Sequence, residues 1–278
     1  MESDPGLPPE PGPPVVPEWA ICRTCGNILR EGASFCPDCG HPVRAGVTRP
    51  PPRLSARQIL YDVQGSNSPV RRVLGFYLIW LVAGIVSVAA AGEGPAAVQV
   101  MMGIDAFTFT MTAGWAAAFR REVFRLFRFP KGGARWLAYP VLAAWPIAAL
   151  ISLFVGWLQQ AIGAEFTYSS LFFPHGYGWG WIILLICIQP ALVEELAFRG
   201  ILQTTLRDTM KSWDAIVVSA LAFSIMHWDL SILVPFFLFG AWLGWLRHRT
   251  ESLWPAMIAH FSHNLLIVLD EHWPVLPG

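Results

Sequence analysis

The sequence predicts an all-α, polytopic bundle of about seven transmembrane helices with a small β-hairpin module at its N-terminus. Composition is the first observation, because 54% of the 278 residues are hydrophobic and 14% are charged. Long apolar stretches follow one another from residue 73 onward, which is the second. Two Cys-x-x-C pairs ahead of these stretches are the third, and they indicate a separate compact module.

Composition divides the chain into four predicted parts. Residues 1–18 are a disordered, proline-rich tail without the basic and apolar regions of a signal peptide. Residues 19–43 hold the cysteines, and residues 44–72 form a basic linker. Residues 73–272 make up the membrane domain, because crossing a hydrocarbon core of about 30 Å takes roughly 20 helical residues.

Seven crossings are expected in the membrane domain. The fifth and sixth are short and closely joined, so they could be tilted or partly re-entrant. Their predicted cores are residues 73–91, 96–118, 136–158, 180–203, 213–228, 231–247 and 255–270.

Basic residues alternate between successive loops as the positive-inside rule requires. The linker, the second loop, the loop after the fourth span and the end of the sixth span carry Lys and Arg. Glu93, Glu165, Asp229, Asp270 and Glu271 occur in the other loops and the C-terminus, which lack basic residues. We therefore predict a multi-pass protein of the cell membrane, with its N-terminus cytoplasmic and its C-terminus extracytoplasmic.

The cysteine module is predicted to be a zinc ribbon. Cys22 and Cys25 lie in CRTCG, and Cys36 and Cys39 lie in CPDCG. Each pair can bind one side of a tetrahedral Zn²⁺ through thiolates, and the spacer allows a small β-hairpin. Two disulfides are the alternative, although a cytoplasmic location keeps thiols reduced. The predicted role of the zinc is structural, and the ribbon could bind a protein partner.

The fourth span contains three charged residues within EELAFRG. Charged side chains in a membrane helix are costly, so their presence calls for a reason. Glu195 and Arg199 are four residues apart on one helix face and can form an ion pair. Glu194 then points about 100 degrees away and stays free to react. The alternative is that all three only close a helix end near the interface, with Arg199 snorkelling to water.

Later spans add two histidines and an asparagine. His227 ends the fifth span in FSIMH, and the last span contains HFSHN, with His260 and Asn264 one turn apart. Each residue alone could be an interior hydrogen-bonding group or a tie between helices. Together they are most simply explained by convergence on one hydrated cavity.

Such a cavity could hydrolyse an amide. Glu194 could act as general base towards a water molecule that His227 orients. His260 and Asn264 could donate hydrogen bonds to the oxyanion that forms on the attacked carbonyl. This chemistry needs no serine or cysteine nucleophile.

The motifs EELAFRG, FSIMH and HFSHN resemble those of the CPBP family, the CAAX protease and bacteriocin-processing intramembrane glutamic endopeptidases. The resemblance covers residues 136–271 and includes a small-residue contact at Gly240 and Gly244. It implies water activation by Glu194 and His227, and oxyanion stabilisation by His260 and Asn264. It also implies a supporting role for Glu195 and Arg199, so all six residues are predicted to belong to the catalytic site.

The leading hypothesis is therefore an intramembrane endopeptidase acting on membrane-associated peptides or proteins, including CAAX-type prenylated ones. Expected partners are the lipid bilayer and such a substrate, and a net charge of zero gives no reason to expect nucleic acid. A metalloprotease with Glu194, His227 and His260 as zinc ligands is one alternative. A non-catalytic scaffold or bacteriocin-immunity protein is another, and a transporter with a proton relay is a third.

Overall fold

A computed structural model describes the chain in segments, and helices dominate them. The described residues are 20–22, 28–29, 33, 35–36, 41–43, 69–90, 95–118, 120–163, 167–207, 210–229 and 232–273. The predicted tail and most of the predicted basic linker lie outside them, and the predicted orientation of the two termini across the membrane stays a prediction.

The described part of the cysteine module contains two short strands. Strand β1 (Ala20–Ile21) pairs antiparallel with β2 (Ile28–Leu29). Cys22 and Cys36 are both buried and pack in one small cluster. Cys25 and Cys39 lie outside the described residues, so the zinc ribbon stays a prediction.

The helices follow one another through the membrane domain. They are α1 (Pro69–Ala90), α2 (Pro95–Ala118), α3 (Arg120–Phe124), α4 (Arg135–Ile162), α5 (Tyr168–Phe172), α6 (Trp179–Leu206), α7 (Ser212–Ile225), α8 (Leu233–Thr250) and α9 (Trp254–Asp270). Single 3₁₀ turns at Arg125–Phe127 and Phe173–His175 extend α3 and α5.

Each of the seven predicted crossings coincides with a helix: α1, α2, α4, α6, α7, α8 and α9. Among the described residues, α2, α4 and α6 are long and apolar enough to cross a membrane. Helix α7 has 14 residues. At 1.5 Å per residue it extends about 21 Å, which is less than a hydrocarbon core. The structure therefore supports a multi-pass membrane protein, while the number of complete crossings remains a prediction.

Helix α6 is the central element of the bundle. Half of the residues in its 18-residue apolar stretch are buried inside the protein, compared with 17% in the corresponding stretch of α2 and 22% in that of α4. Its residues Val193, Ala197, Phe198 and Ile201 belong to a core shared with α1, α8 and α9. A helix that is surrounded in this way can present different residues to different neighbours, and α6 carries the charged motif.

Two π-helical segments interrupt α6, at Ile183–Ile188 and Glu195–Leu202. A π-helical turn closes hydrogen bonds from i to i+5 and rotates the residues that follow it relative to an α-helix. Such segments are rare and occur frequently at functional sites. In this chain the second segment begins at Glu195, directly after Glu194.

Helix α4 presents large apolar side chains to the outside of the bundle. Leu142, Leu150 and Trp157 are 76%, 68% and 64% exposed. Such an exposed stripe is unfavourable in water, but it suits a helix whose outer face meets lipid. The opposite face of α4 packs against α9.

Helix α9 is fixed at both ends, which sets the position of its polar residues along the bundle axis. Near its N-terminus, the Leu253 amide donates to the Leu126 carbonyl at 2.7 Å, and the Trp254 indole donates to the Phe127 carbonyl at 2.8 Å. Just beyond its C-terminus, the Glu271 carboxylate accepts hydrogen bonds from the first amides of α5. These bonds hold α9 against the turn that follows α3 and against the start of α5.

Gly240 and Gly244 allow α8 to approach its neighbours closely, as the sequence predicts. A Cβ at Gly240 would lie 3.0 Å from a Phe223 ring carbon and 3.3 Å from the Ala220 Cα. A Cβ at Gly244 would lie 3.1 Å from an Ile216 methyl carbon. Helices α7 and α8 thus approach closely at both glycines.

We expect Gly244→Leu to lower the free energy of unfolding by about 1–3 kcal/mol, because the new side chain must displace Ile216 and Gln203. Gly156→Leu is the matched control, since nothing lies within 4 Å of a Cβ at Gly156 on α4. Thermal unfolding of both purified variants in detergent measures the difference. Equal destabilisation of the two variants would contradict the close contact.

Candidate active site

The predicted ion pair between Glu195 and Arg199 forms in the centre of the bundle. Arg199 Nη1 donates to Glu195 Oε1 at 2.8 Å, and both side chains are completely buried. Arg199 also donates through Nη2 to the Gly240 carbonyl at 3.0 Å, and its guanidinium lies over the Phe223 ring at 4.4 Å. The pair therefore joins α6 to α7 and α8.

His260 joins the same network from α9. Its Nδ1 lies 2.9 Å from Glu195 Oε1, the oxygen that also accepts from Arg199. Because a carboxylate only accepts hydrogen bonds, Nδ1 must carry the proton. The remaining nitrogen, Nε2, can therefore donate a hydrogen bond only when His260 is protonated and positively charged.

Glu194 faces different surroundings from Glu195. It lines a cavity of about 210 Å³ together with His227 and polar side chains from α1, α2 and α6, namely Ser87, Asp105, Thr108 and Gln189. Glu194 Oε2 is buried and has no hydrogen-bond partner within the described segments. The two adjacent glutamates thus separate as predicted, with one in an ion pair and one free in a cavity.

His227 is oriented by its own helix. Its Nδ1 donates to the Phe223 carbonyl at 2.9 Å, so Nε2 is the nitrogen available for other contacts. The Phe236 ring packs edge-on against the imidazole at 4.4 Å. The next residue, Trp228, adopts a left-handed conformation with φ 53°, which turns the chain sharply away from α7. Its indole fills the space above Gly84 of α1.

Asn264 points to a different group. Its side-chain amide donates to the Ile186 carbonyl at 2.7 Å, in the first π-helical segment of α6. An amide nitrogen has a second N–H, which this bond leaves unused. Asn264 does not line the cavity that holds Glu194 and His227.

The structure therefore brings the predicted residues together to different degrees. Glu194 and His227 share a cavity directly. His260 does not line this cavity, and its Nδ1 is bound to Glu195, the residue next to Glu194. Asn264 departs most from the prediction, because its side chain is bound to the Ile186 carbonyl of α6 and does not line the cavity. Within the described segments, no three His, Cys, Asp or Glu side chains are grouped to hold a metal ion.

Asp105 is a residue that the sequence interpretation missed. It is the single charged residue of α2, and it lines the cavity with Glu194. The sequence does contain a sign of its importance. A carboxylate in an apolar 24-residue helix is energetically unfavourable in a membrane, so it calls for the same explanation as the charged motif in α6. Asp105 lies in the second predicted span, whereas the predicted catalytic residues all lie in the last four.

The fold and the site define a class: a helical membrane domain with a buried acid–arginine–histidine network next to a cavity containing a glutamate and a histidine. Comparison with known proteins agrees with this class. Residues 176–266 match the profile of a family described as "Type II CAAX prenyl endopeptidase Rce1-like". The match covers less than half of the chain and contains all six predicted site residues.

One curated relative comes from Bacillus subtilis (strain 168) and bears the name "Putative membrane peptidase YdiL". It is 29% identical over 94 residues, which are 34% of this chain and 38% of that protein. The chain thus spans about two fifths of the relative's length. No solved structure matches the chain.

We expect Glu195→Gln to lower the free energy of unfolding by about 3–5 kcal/mol, because Arg199 is left buried without its counter-charge. Glu194→Gln is the matched control, since it replaces a carboxylate that has no ion-pair partner and should unfold close to the wild-type temperature. Thermal unfolding in detergent compares the two. A Glu195→Gln protein as stable as Glu194→Gln would argue against the network.

Proposed function

We propose that this protein is an intramembrane glutamic endopeptidase that hydrolyses peptide bonds of membrane-associated proteins, including CAAX-type prenylated ones. The observation that carries this proposal is the cavity shared by Glu194 and His227, with a buried carboxylate oxygen free to bind water. The match of residues 176–266 to a CAAX prenyl endopeptidase family supports the same class of reaction.

In the proposed reaction, Glu194 removes a proton from a water molecule, and His227 holds that water through Nε2. The oxygen attacks the peptide carbonyl, and negative charge develops on the carbonyl oxygen. A protonated His260 stabilises this charge through Nε2, because Glu195 binds its Nδ1 and offsets its positive charge. Asn264 does not line the cavity and is bound to the Ile186 carbonyl, so its proposed contribution to the oxyanion requires its second amide hydrogen to turn towards the substrate.

The protonation states that this reaction requires leave the four buried groups without a net charge. Ionised Glu194 and Glu195 carry two negative charges, and Arg199 with protonated His260 carries two positive ones. A neutral Glu194 with a neutral His260 also gives a neutral set, and moving one proton from Glu194 to His260 converts it into the reactive state. Glu195 and Arg199 thus act by holding His260 rather than by touching the substrate.

A groove next to the cavity has the apolar walls that the lipid group of a lipidated substrate would need. It has a volume of about 460 Å³ and lies between α1 and α2, with apolar walls such as Leu78, Val82 and Phe107. Ala83 and Ile104 line both the groove and the cavity. A prenyl chain in the groove would therefore place the attached peptide next to Glu194.

The test uses an internally quenched peptide that ends in a farnesylated cysteine and three further residues. The wild-type protein in nanodiscs should cleave it, and Glu194→Gln should lower kcat by about 1000-fold while the protein still folds. Mass spectrometry of the products identifies the bond. Asp214→Asn, an exposed acid at the start of α7, is the matched control and should retain activity.

The same peptide without its farnesyl group should show a KM at least about tenfold higher, because it cannot fill the groove. Cleavage by Glu194→Gln at the wild-type rate would refute the role of Glu194. An unchanged cellular phenotype for Glu194→Gln, His227→Ala and His260→Ala would favour the scaffold or immunity function.

We also propose that Cys22, Cys25, Cys36 and Cys39 hold a structural Zn²⁺ and that the ribbon binds a protein partner. The burial of Cys22 and Cys36 in one cluster supports this arrangement. The purified full-length protein should contain about one zinc ion per chain, and the double variant Cys22→Ser/Cys36→Ser should contain none. Cys187→Ser is the control, because that thiol is buried within α6. Zinc retained by the double variant would contradict the site.

A further inference from the structure

Asp105 lines the cavity, and the hydrolysis proposed above gives it no role. Its Oδ2 is buried and has no hydrogen-bond partner in the described part of the chain. The Thr108 hydroxyl donates to the backbone carbonyl of Asp105, not to the carboxylate. An unpartnered carboxylate inside a membrane helix is costly, so its position next to Glu194 indicates a function.

Two carboxyl groups from different helices thus face one small space. Glu194 Oε2 and Asp105 Oδ2 are both buried without hydrogen-bond partners among the described residues, and both residues line the cavity. No Lys or Arg belongs to the described lining of this cavity. Two negative charges in one small cavity are unfavourable, so the pair is expected to share one proton, as in enzymes with paired carboxyl groups.

In the reaction proposed above Glu194 is the base and must be ionised, so the shared proton falls to Asp105. Glu194 precedes Glu195, which binds Arg199 and His260, whereas no Lys or Arg lines the cavity beside Asp105 in the described part of the chain. A neutral Asp105 and an ionised Glu194 then provide an acid and a base on one cavity.

We propose that Asp105 is the second catalytic carboxyl group, which protonates the nitrogen that leaves when the peptide bond breaks. The proposal rests on the hydrolase function proposed above. Its position is suitable, because the adjacent residue Ile104 lines both the cavity and the apolar groove. A substrate chain that passes from groove to cavity would run past Asp105.

The proposed hydrolysis consumes one water molecule and no net protons. Glu194 takes a proton from water, and the water oxygen bonds to the carbonyl carbon. When the tetrahedral intermediate collapses, the carbonyl re-forms and the C–N bond breaks, while the Asp105 proton moves to the nitrogen. The proton held by Glu194 then passes to Asp105 through water in the cavity. The products are a carboxylic acid and an amine, and both side chains return to their starting states.

The first test measures kcat and KM of Asp105→Asn in nanodiscs with the farnesylated peptide. Loss of the acid should lower kcat by about 100-fold and leave KM nearly unchanged, whereas Asp105→Glu should recover much of the rate. Asp214→Asn, which also replaces an aspartate by asparagine but outside the cavity, should keep the wild-type kcat. A kcat for Asp105→Asn within about twofold of wild type would overturn the proposal.

A second measurement does not depend on cleavage and separates this inference from the proposed function. Dicyclohexylcarbodiimide modifies protonated carboxyl groups in apolar surroundings, and peptide mass spectrometry locates the adduct. We expect modification of Asp105 in the wild type and less modification in Glu194→Gln, because loss of the Glu194 carboxylate removes the like charge that keeps Asp105 protonated. An unmodified Asp105 in the wild type, or equal modification of the two proteins, would overturn the proposal. If Asp105 is modified but the wild type cleaves no farnesylated peptide, the hydrolase proposal fails, whereas the conclusion that Asp105 is protonated still holds.

Discussion

The shared hydrogen bonding of Glu195 Oε1 is the interaction on which this structure depends. One carboxylate oxygen accepts from Arg199 on its own helix and from His260 on α9, and Arg199 in turn binds the Gly240 carbonyl on α8. Three helices are thus joined by two charged side chains and one imidazole. In an environment without water, these bonds are the means of satisfying the groups involved, so helix positions and ionisation states are coupled.

The glycines of α8 are the steric counterpart of this network. The carbonyls of Gly240 and Gly244 accept from Arg199 and Gln203, one helical turn apart on α6. Side chains at either glycine would push α8 away and lengthen both bonds. The absence of two Cβ atoms therefore decides whether the buried donors find acceptors, because backbone carbonyls are reachable only at close approach.

The adjacent glutamates show how one helix can combine structure and reactivity. Glu195 is held through Oε1 by Arg199 and His260, whereas the neighbouring Glu194 lines the cavity and forms no ion pair among the described residues. The π-helical segment that begins at Glu195 adds to this separation by changing the register of α6. A rigid ion pair beside an unpaired carboxylate is a means of holding a reactive group in a fixed place without neutralising it.

The sequence by itself determined the helical segments, the pairing of Glu195 with Arg199 and the close approach at Gly240 and Gly244. These follow from apolar length, from the i to i+4 spacing and from residue size, which are local properties of the chain. Only the tertiary structure decided that His260 binds Glu195, that Asn264 turns to the Ile186 carbonyl and that Asp105 of α2 enters the cavity of Glu194. These contacts depend on the rotation and height of helices distant in sequence, which the packing of the whole bundle sets and no local pattern records.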